Sequence, residues 1–131
     1  MAATHGRALA AVFAGGMAGT LARVWLGRHF AGDAGDWPWA TFAINISGSF
    51  ALAYLATQLH ERPPSSFIQP LLASGFCGAY TTFSTMQVET LRIIDRHGYG
   101  LAAGYAGASV AAGLAAIAAA SSLARRRRVS W

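Results

Sequence analysis

The sequence predicts an all-α membrane subunit of four transmembrane helices with a break in the third, and three observations carry that prediction. Hydrophobic residues fill 54% of the 131 positions and charged residues only 11%, against about a quarter charged in soluble domains. The charges crowd into short stretches at 28–36, 61–62, 89–96 and 125–128, leaving four long apolar runs between them. The third run contains GFCGAYTTFSTMQVE, Gly75 to Glu89, in which two glycines and the hydroxyls of Thr81, Thr82, Ser84 and Thr85 interrupt what must cross a membrane. A bilayer interior tolerates broken helix only where the freed backbone groups are buried in protein or line a polar cavity. The stretch therefore marks a binding site at depth, in a chain that moves something.

The spans are placed at 9–26, 37–59, 67–91 and 101–123 of a single membrane domain covering 1–131. Each approaches or exceeds the ~20 residues that cross a ~30 Å hydrocarbon core. The first follows Arg7, is too long for a secretory signal and carries Arg23, so it is expected to stay uncleaved. Its Gly15 and Gly19 stand four apart, the spacing that lets two helix backbones approach in lipid. Arg23 either snorkels to the interface or raises the local anion concentration at a pore mouth.

In the second span Thr41, Asn45, Gly48 and Ser49 recur at helical spacing, so one face offers hydroxyl, amide, gap and hydroxyl. Asn45 alone is explained by an interhelical hydrogen bond. The third span weakens at Gly75 and Gly78, and its threonines offer competing side-chain bonds; local unwinding would release carbonyls suited to a hard cation such as sodium. Phe83 follows, either as packing or as a ring edge turned toward an anion. In the fourth span Tyr105 and Ser109 again share one face. Two such polar tracks suit an anion that has shed part of its water.

Trp25, Trp37, Trp39, Tyr99 and Trp131 fall near the span ends, where amphipathic rings prefer the interface, and Pro63, Pro64, Gly98 and Gly100 punctuate short loops. The formal charge of +5 comes from ten arginines and no lysine. Four of them, Arg125 to Arg128, directly follow an apolar run with no aromatic residues interleaved. That pattern reads as a headgroup anchor and argues against nucleic acid. Cys77 is the only cysteine, so no intrachain disulfide forms, and no zinc-type cluster is present. With both termini on one side, that side carries Arg7, Arg62 and the tail, and the other carries Arg28, Arg92 and Arg96. Without the tail the two sides nearly balance, so the body of the chain specifies its orientation weakly. Glu89 lies toward the end of the third span, and no carboxylate lies deep in the others, which argues against a proton-coupled exporter or an acidic cation pore.

At these residues the chain resembles the CrcB/Fluc family of fluoride channels. The resemblance rests on GGMAGTLARVW, ATFAINISGSF, GFCGAYTTFSTMQVE and the Tyr105-x3-Ser109 pattern, and it implies four-helix subunits paired antiparallel around two anion pores. It further implies passive export of fluoride, no enzymatic step, and a multi-pass location in the bacterial cytoplasmic membrane. By position, the resemblance assigns Asn45, Thr41, Phe83, Tyr105, Ser109, Arg23 and Glu89 to the fluoride pore. The carbonyls of Gly78 and Thr81 become ligands of a structural sodium ion shared at the dimer interface. Met86 stands where the family usually has a second phenylalanine, Ala79 and Ala40 where glycine is common. A homodimer is the expected assembly, with a heterodimer of two related chains, or a small dual-topology multidrug-type exporter, as the alternatives.

Overall fold

The computed structural model describes residues 2–60 and 67–128, with side chains over 5–60 and 67–127. Glu61, Arg62, Pro63, Pro64 and Trp131, used above for the second loop and the last interface ring, lie outside the described residues. The described residues are all-helical apart from their connections. Helix α1 spans Ala2–His29 and α2 spans Trp39–Leu59. Segment α3 begins as a π-wound stretch, Gln69–Cys77, and runs on into one α-turn, Gly78–Tyr80. Helices α4, Phe83–His97, and α5, Tyr99–Arg128, complete it.

Among the described residues, three helices, α1, α2 and α5, are long and apolar enough to cross a membrane. Together with the relatives described below, they make this a multi-pass membrane protein. The predicted spans differ from the helices mainly at the ends. Helix α1 runs past 9–26 and α5 past 101–123, because arginines continue a helix readily once it leaves the hydrocarbon. Helix α2 starts two residues later than predicted, held back by Pro38. The third predicted span, 67–91, is divided: α3 stops at Tyr80, and α4 resumes at Phe83 and continues to His97.

Gly75 and Gly78 do not make that division. Gly78 has ordinary helical angles, φ −63° and ψ −33°, and Gly75 is a contact glycine whose missing Cβ would lie 2.6 Å from the Val12 carbonyl oxygen. Across the same contact, a side chain on Gly15 would strike the Leu71 carbonyl, and one on Gly19 the Phe76 carbonyl. Backbone thus lies on backbone where α1 crosses α3, the close approach expected of small residues in lipid. Gly48 does the same for α2, leaving room for the Thr81 methyl and the Tyr80 ring.

Neighbours run in the order α1, α3, α2, α5, α4, and among the described residues α1 does not touch α4 or α5. The core between α4 and α5 consists of Met86, Ile93, Ala102 and Tyr105, with Trp37, Phe42 and Ile94 packed against it. Trp37, half-buried just before α2, packs edge-on against Tyr105 at 5.4 Å. Trp25, Trp39 and Tyr99 do stand exposed near helix ends. Along the outer side of α1, Leu9, Phe13, Met17 and Leu21 are all at least half exposed. Such a stripe is normal against lipid tails and costly against water.

Two connections are set by glycine. Gly35, at φ +95°, leaves room for the Arg96 side chain against the α1–α2 loop. Gly98 alone joins α4 to α5, at φ +81° and ψ −177°, with its N–H on the Ile94 carbonyl at 3.0 Å. Only glycine occupies that region without strain. Gly98→Ala is therefore expected to cost roughly 1–3 kcal/mol, read as a lower thermal midpoint in detergent, whereas Gly100→Ala, inside α5, is expected to leave the midpoint unchanged or raise it.

Candidate functional site

Helix breaks in this chain at Thr81 and Thr82, whose backbones are extended (ψ 153° and φ −147°, respectively). Thr82 caps the new helix: its Oγ1 accepts from the Thr85 N–H at 3.2 Å and donates to Thr85 Oγ1 at 2.9 Å. Serine and threonine are preferred there because the side-chain oxygen satisfies a first-turn N–H that has no helical partner. On the near side, Thr81 N–H and Thr81 Oγ1 both bond to the Cys77 carbonyl, at 3.1 and 3.0 Å.

Two other helices hold the opening. The Asn45 side chain of α2 pairs with Thr82 as a peptide would, its Nδ2 donating to the Thr82 carbonyl (3.0 Å) and its Oδ1 accepting the Thr82 N–H (2.8 Å). From α1, Arg23 Nε donates to the Ala79 carbonyl at 3.0 Å. A cation is well placed there, at the carbonyl end of α3. Ser47 Oγ and the Tyr80 hydroxyl meet at 3.1 Å on the flank. Arg23 is thus tied to the Ala79 carbonyl, and Asn45 retains one N–H of its amide for any other acceptor.

These bonds release two carbonyls. The Thr82 N–H that would close on the Gly78 carbonyl is spent on Asn45, and the Thr85 N–H that would close on the Thr81 carbonyl is spent on Thr82 Oγ1. Gly78 is exposed and Thr81 half-buried, so the stretch that carries the two carbonyls lies at a surface rather than in the core.

A second cluster lies around Glu89. Thr41 Oγ1 of α2 donates to Glu89 Oε1 at 2.7 Å, and the Tyr105 hydroxyl of α5 donates to Oε2 at 2.9 Å. Thr41 and Tyr105 are buried. Ser109, one turn beyond Tyr105, has a buried Oγ with no partner among the described residues. A cavity of about 280 Å3 opens between the α1–α2 loop and α4, lined by Trp37, Thr41, Thr85, Glu89 and Arg92 among others.

The residues singled out in the sequence thus form two groups. Arg23, Asn45, Gly78 and Thr81 meet at the break, and Thr41, Glu89, Tyr105 and Ser109 gather toward the cavity. Phe83 joins neither and stands 72% exposed at the start of α4. Met86 is buried against Tyr105 and Ile93, where its unbranched side chain fills core volume. Thr82, the hub of the break, was not expected in that role; its signal was a hydroxyl residue three before Thr85, the spacing of a helix cap.

Replacing Asn45 by Leu, close in size, removes both bonds to Thr82 and leaves a largely buried N–H and carbonyl unpaired. Each orphaned group costs about 1–3 kcal/mol. The expected outcome is a lower unfolding midpoint and faster amide hydrogen exchange confined to 78–86, while Asn45→Asp, which keeps the acceptor, loses less.

Comparison with known proteins bears on this arrangement. The family model described as "CrcB-like protein, Camphor Resistance (CrcB)" matches residues 10–121. A protein of Mycolicibacterium paratuberculosis named "Fluoride-specific ion channel FluC 1" is 57% identical over 124 residues, covering 94% of each chain. One of the same name from Mycobacterium bovis is 50% identical over 124 residues, again 94% of each. In Koribacter versatilis, "Fluoride-specific ion channel FluC" is 40% identical over 116 residues, 85% of this chain and 90% of that one. The match spans both clusters and every helix that builds them, and the chain belongs to the CrcB family.

Proposed function

We propose that the chain is one subunit of a fluoride-selective channel that lets cytoplasmic fluoride leave down its electrochemical gradient. The observation that carries this reading is 57% identity, over 94% of both chains, to a protein named for fluoride-specific conduction. The chemistry of the two clusters agrees with it. Passive conduction needs donors that replace part of an ion's hydration without trapping it. No covalent step is required, and the chain acts as a channel rather than an enzyme.

The geometry refines which donors serve. With Glu89 in place, the hydroxyl protons of Thr41 and Tyr105 point at its carboxylate. The donors left for a passing anion are the second Asn45 N–H, the unpaired Ser109 hydroxyl and the ring edge of exposed Phe83. Glu89 therefore orders the two hydroxyls rather than meeting the anion first. Selectivity follows because fluoride, the strongest hydrogen-bond acceptor among the halides, gains most from a few close donors.

The subunit pairs with a second, inverted copy in the bacterial cytoplasmic membrane, and α3 and α4 together form its fourth crossing. Supporting this are the exposed Phe83, the exposed Gly78 and the apolar outer stripe of α1, all surfaces that a neighbour or lipid must cover. The freed carbonyls of Gly78 and Thr81 are hard oxygen donors suited to sodium, and two copies would supply four. Bound there, sodium would neutralise converging carbonyl dipoles and join the subunits.

Liposomes loaded with fluoride and containing the purified chain are expected to release it far faster than liposomes loaded with chloride; equal rates for the two ions would defeat the selectivity claim. Exchange of sodium for choline on both sides is expected to abolish release and shift the dimer toward monomer in a cross-linking assay. Release indifferent to sodium would remove the cation from this account.

A further inference from the structure

The outer face of α4 carries a polar group that this chain leaves unpartnered. Ser84, Gln87, Val88 and Leu91 recur at helical spacing and are all exposed. The Gln87 side-chain amide makes no hydrogen bond among the described residues. It also turns away from the cavity beside Glu89. Thr85 and Glu89 line that cavity, and Gln87, two positions from each, lies on the opposite side of the helix. Contacts between helices fix its depth. Helix α2 has 21 residues, about 30 Å, and so matches the hydrocarbon core. Its midpoint, Ser49, faces Gly113, near the midpoint of α5. Thr82 bonds to Asn45 and Glu89 to Thr41, so Gln87, between them on α4, stands about 6–12 Å from the middle of the span. An amide facing lipid at that level finds neither water nor protein to bond, and such groups almost always turn into a protein interior instead.

A groove of matching depth lies on the other side of the middle. It runs along α1 to the end of α3, lined by Phe13, Gly16, Met17, Thr20, Leu21 and Ala79. Thr81 stands beside Gly48 near the midpoint of α2, while Gly19 lies against the Phe76 carbonyl and Gly15 against that of Leu71. Phe76 and Leu71 precede Thr81 by five and ten positions, which sets the groove roughly 7–14 Å to that side. A side chain on Gly16 would meet nothing within 4 Å. The hydroxyl of half-buried Thr20 has no partner among the described residues. We propose that Gln87 of one copy docks in this α1 groove of a second, inverted copy, its amide bonded to the hydroxyl of Thr20 of the partner subunit, with the reciprocal contact made at the same time. A two-fold axis in the membrane plane exchanges heights above and below the middle, so it brings each amide level with the other copy's groove. A parallel pair leaves the two surfaces on opposite sides of the middle. The groove's glycine allows the close helix approach that such a bond needs. The contact rests on the inverted-pair reading for its partner, and it names the faces that meet.

In a Cys77→Ala background, Thr20→Cys and Gln87→Cys carried on one chain are expected to give a disulfide-linked dimer on mild oxidation in liposomes. Among the described residues α1 does not touch α4 within a chain, so the link forms between copies. Either cysteine alone, or Thr20→Cys combined with Val110→Cys on the exposed side of α5, is expected to run as monomer on a denaturing gel. Gln87→Leu, close in size, is expected to weaken dimerisation in lipid roughly three- to tenfold, Thr20→Val about equally, and the two together no more than either alone. Absence of the Thr20–Gln87 link, an equal link with Val110→Cys, or additive losses in the double variant would each overturn the contact. A linked dimer that releases no fluoride would instead sink the channel reading and leave the contact standing.

Discussion

The pairing of the Asn45 amide with both backbone groups of Thr82 is the constraint on which the rest of the structure depends. A helix interrupted at membrane depth exposes N–H and C=O groups that lipid cannot satisfy, at a cost of several kcal/mol each. A side-chain amide has the same donor and acceptor geometry as a peptide, so one residue of α2 repairs both halves of the defect. Arg23 does similar work for the Ala79 carbonyl from α1. The opening is therefore held by other helices as well as by the Thr82 cap, which is why it can remain extended instead of closing into helix.

Once the break is fixed, the remaining contacts follow. Backbone contact at Gly15, Gly19 and Gly75 brings α1 close enough for Arg23 to reach α3, and Gly48 admits the Thr81 methyl beside Asn45. Resumption of helix at Phe83 sets the rotation of α4 and carries Glu89 to the face shared by Thr41 and Tyr105. Small residues thus position polar ones, an economy suited to lipid, where helices gain nothing from merely hiding apolar surface from one another.

Much of this was legible in the sequence. The helical class and the division of the third segment followed from hydropathy and composition, whereas the Thr41–Asn45 face is split, Thr41 bonding Glu89 and Asn45 bonding Thr82. The exact place of the break did not follow, because glycine is a weak helix former but a good contact residue, and its use at position 75 depends on a partner helix distant in sequence. The partner of Arg23 was likewise hidden, since a bond across 56 positions leaves no local trace. The contact of Trp37 was hidden for a related reason: a tryptophan beside a proline at a span end looks like an interface ring, and only the fold brings Tyr105 against it.

Both clamps on the break precede it along the chain. Arg23 and Asn45 lie ahead of Ala79 and Thr82, so the donors are already synthesised when their acceptors emerge. Because synthesis runs from the N-terminus, the first two helices are made before the third segment they hold. The exposed peptide groups then need not wait for a partner still to be made. A chain with the same helices in reversed order would carry the same bonds in its finished state, but its opening would enter the membrane unattended.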